Sequence, residues 1–130
     1  MKDQLPDYRE KQKILYIDRR PAEELIAYGD RSQEANHIFD ALEFYQKAKH
    51  QPGLEKMLKM AISIGDTMLF EQAVRALRRE YSAEEWNRLG QRAFALKKYT
   101  FARHAFEQVG DNTKLEEIRK ITAEGMRKAE

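Results

Sequence analysis

Apolar residues recur along the chain at helical spacing, in about eight short runs separated by two to five residues. The first run, Tyr8, Ile14, Leu15 and Ile17, follows Asp7, which can cap a helix while Glu10 reaches back three positions later. A helix over about residues 7–20 is expected. Pro21 is suited to a first helical turn, where its missing N–H costs nothing, and it opens a second run through Leu25, Ile26 and Tyr28. The third run is Ala35, Ile38, Phe39, Leu42, Tyr45 and Ala48, stopping before Gln51-Pro52-Gly53. Pro52 restarts the pattern as Leu54, Met57, Leu58, Ala61, Ile62 and Ile64, closed by Gly65 at a helix C-terminus that favours positive φ.

Met68, Leu69, Phe70, Ala73, Val74 and Leu77 make the fifth run. Ser82 and Glu85 form a capping box for a helix through Trp86, Leu89, Ala93, Phe94 and Leu96. After the short turn Lys97-Lys98, a helix with Tyr99, Phe101, Ala102, Ala105, Phe106 and Val109 runs to Gly110. Thr113 with Glu116 reads as a further capping box, for a last helix over about 113–127 with Leu115, Ile118 and Ile121 on one stripe. Connections this short favour antiparallel neighbours, so the expected fold is all-α.

Composition narrows the function classes. At 130 residues, 42% apolar and 35% charged, the chain fits one domain. Lys and Arg number 24 against 22 Asp and Glu, so the net charge of +2 lacks the excess typical of nucleic-acid or membrane-surface binders. The absence of cysteine removes disulfides, thiolate zinc sites and cysteine nucleophiles. Six glycines and three prolines are too few turns for a many-stranded β protein. Met1 to Pro6 carry no apolar leader and no stretch approaches 18 uncharged apolar residues, which makes a cytoplasmic protein, complete from Met1, the expectation.

A repeat underlies the helices. Trp86-x-x-Leu89-Gly90, followed by Tyr99, Ala102 and Phe106, resembles a tetratricopeptide repeat (TPR), whose helix-turn-helix has W-x2-L-G, an aromatic and A-x3-F at these offsets. Weaker copies are Leu25, Tyr28, Gly29, Ala41, Tyr45 and Ala48, and then Met57, Met60, Ala61, Phe70, Ala73 and Leu77. Ala41, Ala73 and Ala102 then recur at 32 and 29 residues. Departures from the pattern are Ala93 at a usual Tyr, Val109 at a usual small residue and Lys114 where Pro is common.

The resemblance implies a right-handed α-solenoid of about three repeats, over about 22–52, 53–82 and 83–111, with a flanking helix at each end. Mid-helix glycine costs roughly 1 kcal/mol relative to alanine, which is tolerable where another helix approaches too closely for a Cβ. Gly29, Gly90 and Ala61 are read in that way, with Ala41, Ala73 and Ala102 as the reciprocal small residues. Tyr45, Phe70, Trp86, Tyr99 and Phe106 are read as core.

Catalytic chemistry is thin. Ser32, Ser63 and Ser82 lack a nucleophile-elbow setting, no phosphate-binding glycine loop occurs, and His37, His50 and His104 lack metal-ligand spacing. His104 and Glu107 are one helical i, i+3 pair. Glu23-Glu24, Glu84-Glu85 and Glu116-Glu117 sit at predicted helix starts, where negative charge complements the dipole. Arg75, Arg78, Arg79, Lys97, Lys98 and Arg103 read as a solvated face, with RNA phosphates as the lesser alternative. No catalytic, cofactor or metal residue is assigned, and an enzyme is not expected.

In the resembled family, ligands lie in a concave groove lined by the second, fifth, ninth and twelfth positions of each repeat. Carried over, those positions are Glu23, Ile26, Asp30 and Gln33, then Glu55, Leu58, Ile62 and Gly65, then Glu84, Asn87, Gln91 and Phe94, with Arg88 adjoining. The apolar strip Ile26, Leu58, Ile62 and Phe94 suits an amphipathic helix better than a C-terminal carboxylate. The expected function is a protein-interaction module or small scaffold binding a peptide or helix. The alternative is a self-associating protein whose groove holds its own N-terminal helix or a second copy.

Overall fold

A computed structural model describes residues 5–129, with side chains through Met126; Met1–Gln4, part of the stretch in which no leader was expected, lie outside the described residues. Among the described residues the chain forms eight α-helices and no strand. They are α1 (Tyr8–Tyr16), α2 (Ala22–Glu34), α3 (Ile38–Ala48), α4 (Gln51–Ile64), α5 (Thr67–Leu77), α6 (Ala83–Ala95), α7 (Tyr99–Val109) and α8 (Asn112–Ala129). None is long and apolar enough to cross a membrane. The chain divides into two units, one ending at Met57 and one beginning at Leu58, with the division inside α4.

Side-chain caps start several of these helices. Asp7 accepts from the Glu10 amide at 2.8 Å, Asp66 from Leu69 at 3.0 Å, and Ser82 and Glu85 complete the expected capping box. At α8 the cap is Asp111, which accepts from the Lys114 amide at 3.1 Å. Thr113 therefore lies inside the helix, and Glu116-Glu117 fall in its second turn rather than its first. Asp111 comes two residues earlier and takes the free amides before Thr113 can. Pro21 is the residue before α2, extended at ψ 155°, one position ahead of the expected start.

Each of the seven links between successive helices holds one residue in the left-handed region: Arg19, Asn36, Lys49, Gly65, Arg78, Lys97 and Gly110, with φ from 46° to 71°. After α2, α4 and α6 the closing bonds are the same, running from Asn36, Gly65 and Lys97 to the carbonyl three back and from the next amide to the carbonyl five back.

In the first unit α2 packs on α3, and Ile14, Leu15, Leu25 and Phe44 form its core, flanked by Tyr28 and Ala48. The Tyr28 and Phe44 rings stack at 5.4 Å. In the second unit α6 packs on α7, α7 on α8 and α5 on α7. Ala93, Ala102, Phe106 and Ile118 form the core there, with Phe94, Tyr99 and Leu115 against it. Trp86 sits among the rings of Phe70, Tyr81 and His104, with centroids 4.9 to 5.6 Å away. Tyr8, Ile17, Phe39 and Met68, taken from the sequence as helix-face apolar residues, are exposed. Ala35 belongs to the end of α2, not to α3.

Candidate functional site

The glycines show how the hairpins close. A Cβ on Gly90 would stand 2.9 Å from a Phe106 ring carbon, and one on Gly29 only 2.6 Å from the Tyr45 ring. The nearest atoms facing both glycines are thus aromatic, not the small side chains of Ala41 and Ala102 expected from the sequence, although both alanines are fully buried. Aromatic rings lie flat in the space that a missing Cβ leaves, which two methyl groups would not fill. Gly53 also abuts the Tyr45 ring, so that ring lies against two glycines.

Helix bounds give the spacing of successive helix pairs. First helices begin at Ala22, Gln51 and Ala83 and second helices at Ile38, Thr67 and Tyr99, so the spacing is 29 and then 32 residues. The difference lies in the links between hairpins, which run only through Lys49-His50 in one case and through Arg78–Ser82 in the other. The middle hairpin, Gln51 to Leu77, is therefore three residues out of the register read from Ala61 and Ala73. Its counterparts of Gly29 and Gly90, and of Tyr45 and Phe106, are Leu58 and Val74, both buried. A larger residue at one position goes with a smaller one at the other.

Counted from its start at Gln51, the second, fifth, ninth and twelfth residues of α4 are Pro52, Glu55, Lys59 and Ile62, while Leu58 is buried at 3% exposure. Lys59, which was not among the groove positions expected from the sequence, is exposed. Aligning the turn pairs Asn36-His37, Gly65-Asp66 and Lys97-Lys98 was the signal that finds it.

On α2, Glu23 is exposed and Ile26 half-buried, while Asp30 and Gln33 accept from the Tyr45 hydroxyl at 2.6 and 3.2 Å. Burial, and then the Asp30 carboxylate, push the Tyr45 phenol well above its ordinary value. On α4, Glu55 and Ile62 are half-buried. On α6, Glu84 and Arg88 pair at 3.4 Å, Gln91 is exposed and Asn87 is half-buried. Phe94 is partly covered, with the Lys114 ammonium 4.8 Å from its ring centre and Tyr99 edge-on at 5.7 Å. These positions divide between the two units.

Other charged groups serve packing. Arg92 and Lys98 donate to the carbonyls of Ser63 and Ile64 at 2.7 and 2.6 Å, placing two cations on the last turn of α4. Arg79 pairs with Glu85 at 3.1 Å and Arg75 reaches Glu71 at 3.9 Å, so part of the basic run meets carboxylates. His104 bonds Glu71 across α5 and α7, not Glu107 one turn along its own helix. Among the described residues no group of three His, Asp or Glu side chains could hold a metal ion.

The N-terminal helix sits on the second helix of its hairpin. Lys11 donates at 2.8 Å to both Asp40 and Glu43 on α3, and Tyr16 donates to Glu43 at 3.3 Å. Burial works against the Lys11 ammonium, but its bonds to Asp40 and Glu43 outweigh that and hold it above the ordinary lysine value. The polar anchors of α1 are thus residues of α3, not Glu23, Asp30 or Gln33 on α2. Compared with known proteins, the chain matches no protein-family model, no curated protein and no solved structure.

Proposed function

We propose that the chain is a non-enzymatic interaction module of the TPR type, three helix-turn-helix repeats in a right-handed solenoid whose first helices offer a face to a peptide or helix. The observation that carries this reading is the common plan of its hairpins. α2–α3 and α6–α7 have the same helix lengths, the same three-residue turn and the same glycine-against-ring contact. Counted from the start of each first helix, the residues this reading assigns to binding are Glu23, Ile26, Asp30, Gln33 and Glu55 in the first unit and Lys59, Ile62, Glu84, Asn87, Gln91 and Phe94 in the second, apolar side chains among charged ones.

An amphipathic helix supplies anchors at the spacing such a strip needs. Affinity capture from native lysate, read by mass spectrometry, tests the reading with Ile26→Asp and Ile62→Asp as controls. Both half-buried sites are expected to keep the wild-type circular dichroism and to lose the partner. Retention of the same proteins by wild type and both variants refutes the proposal. Self-association is the second reading, favoured by the exposed Tyr8, Tyr16 and Ile17, and light scattering that stays monomeric across concentration removes it.

A further inference from the structure

The shortest of the described helices is α1. It has nine residues, below the dozen or so that an isolated helix needs, so its helical state depends on docking. Three side chains dock it, Lys11, Ile14 and Leu15, at the i, i+3, i+4 spacing of a helix lying in a groove. Ile14 and Leu15 enter the cluster with Leu25 and Phe44, and Lys11 bridges the carboxylates of Asp40 and Glu43. The first turn stands off α2 over a cavity of about 330 Å³ lined by Leu5, Pro6, Asp7, Glu10 and Tyr28.

A helix serving only to seal the hairpin would turn polar residues outward, yet α1 exposes Tyr8 at 75% and Tyr16 at 61%, and its C-cap Ile17 is exposed at 70%. Its link to α2 passes through Arg19 at φ 46°, a left-handed conformation disfavoured for an arginine.

We propose that α1 is a detachable strap occupying a helix-binding face of the α2–α3 hairpin, and that an amphipathic helix of another chain takes the same face in its place. The docked side chains specify that ligand: a lysine or arginine followed three and four residues later by branched apolar residues. The cation engages Asp40 and Glu43, and the apolar pair enters beside Leu25 and Phe44. This face is the one beneath α1, separate from the strip of the proposed function, so either proposal can fail alone.

The probe is a fluorescein-labelled peptide with the sequence from Leu5 to Asp18, titrated into the full chain and followed by anisotropy. A tethered α1 competes at an effective concentration in the millimolar range. The full-length variant Ile14→Asp/Leu15→Asp, whose own strap cannot dock, is expected to bind the peptide roughly tenfold or more tighter than wild type. A peptide carrying the same two substitutions is expected not to bind. Equal affinity for wild type and variant, or no binding to a variant that keeps its helical circular dichroism, overturns the proposal. If the double variant unfolds, Lys11→Gln decides the matter: it loses only the ionic clasp and is expected to bind more tightly than wild type, whereas equal affinities overturn the proposal.

Discussion

Adding one methyl group at Gly90 tests how the second hairpin is closed. In Gly90→Ala the new Cβ would lie 2.9, 3.0 and 3.1 Å from three ring carbons of Phe106. Carbon atoms rest at about 3.5 Å or more, so the ring or helix α6 must retreat by roughly 0.6 Å. Phe106 is fully buried, in a cluster with Ala93, Ala102 and Ile118, and has little room to move. Alanine gains about 1 kcal/mol in helix propensity, while overpacking costs about 1–3 kcal/mol. The expected net change runs from nil to a loss of about 2 kcal/mol. Gly125, in α8, has nothing within 4 Å of its Cβ position, so Gly125→Ala keeps the propensity gain alone.

The two variants should therefore differ by about 1–3 kcal/mol, roughly 4–12 °C in Tm for a chain of this size. Urea and thermal unfolding followed by circular dichroism measure this directly. Phe106→Val in the Gly90→Leu background should recover part of the loss, because Leu58 and Val74 already occupy the matching positions in the middle hairpin. Equal stabilisation by Gly90→Ala and Gly125→Ala, or strict additivity of Gly90→Leu and Phe106→Val, refutes the reasoning.

Three further outcomes are expected. Gly65→Ala combines positive φ with a Cβ 2.7 Å from the Ala93 Cα and should lose well over 2 kcal/mol, whereas Gly110→Ala, with open space around it, should lose only about 1 kcal/mol in urea unfolding. Lys49→Gly and Lys97→Gly, at φ 56° and 61°, should each raise stability by up to about 1 kcal/mol, since glycine adopts that conformation without strain. Tyr45→Phe removes the bonds to Asp30 and Gln33 and should cost about 1 kcal/mol at neutral pH. The folded Tyr45 phenol holds its proton more tightly than the unfolded one, so its contribution is full below pH 10 and is lost as pH rises. Wild type should lose up to about 1.4 kcal/mol per pH unit more than Tyr45→Phe above that point, as urea unfolding at stepped pH would show.

The helices were legible because their signals are local. Asp7, Ser82, Gly65 and Gly110 each act within one turn and mark the helix ends that the structure has. Asp111 and Thr113 compete for the same amides, and the sequence alone favoured the wrong one. The glycines at 29 and 90 announced a close approach but not what approached, because ring against glycine and methyl against glycine leave the same one-residue mark. Register failed in the middle hairpin for a related reason. Leu58 and Val74, both buried, stand where the outer hairpins have glycine and a ring, so the small residues Ala61 and Ala73 lie three positions away from the glycines and alanines they were matched to. Turn geometry carried the better signal, since Asn36, Gly65 and Lys97 share one backbone conformation despite three unlike side chains. Docking of α1 through Lys11 was not legible at all, because Asp40 and Glu43 lie 29 and 32 residues along the chain and nothing in the sequence sets them apart from the other carboxylates.

The register of the middle hairpin decides which residues belong to the proposed face, and two adjacent substitutions measure it. Leu58→Asp places a charge at a core position and is expected to cost about 4 kcal/mol or more, abolishing or sharply weakening cooperative unfolding. Lys59→Asp, at an exposed position of the face, is expected to stay within about 1 kcal/mol of wild type. Thermal unfolding of the two variants side by side gives the answer: a folded Leu58→Asp beside an unfolded Lys59→Asp, or equal tolerance of both, contradicts the account.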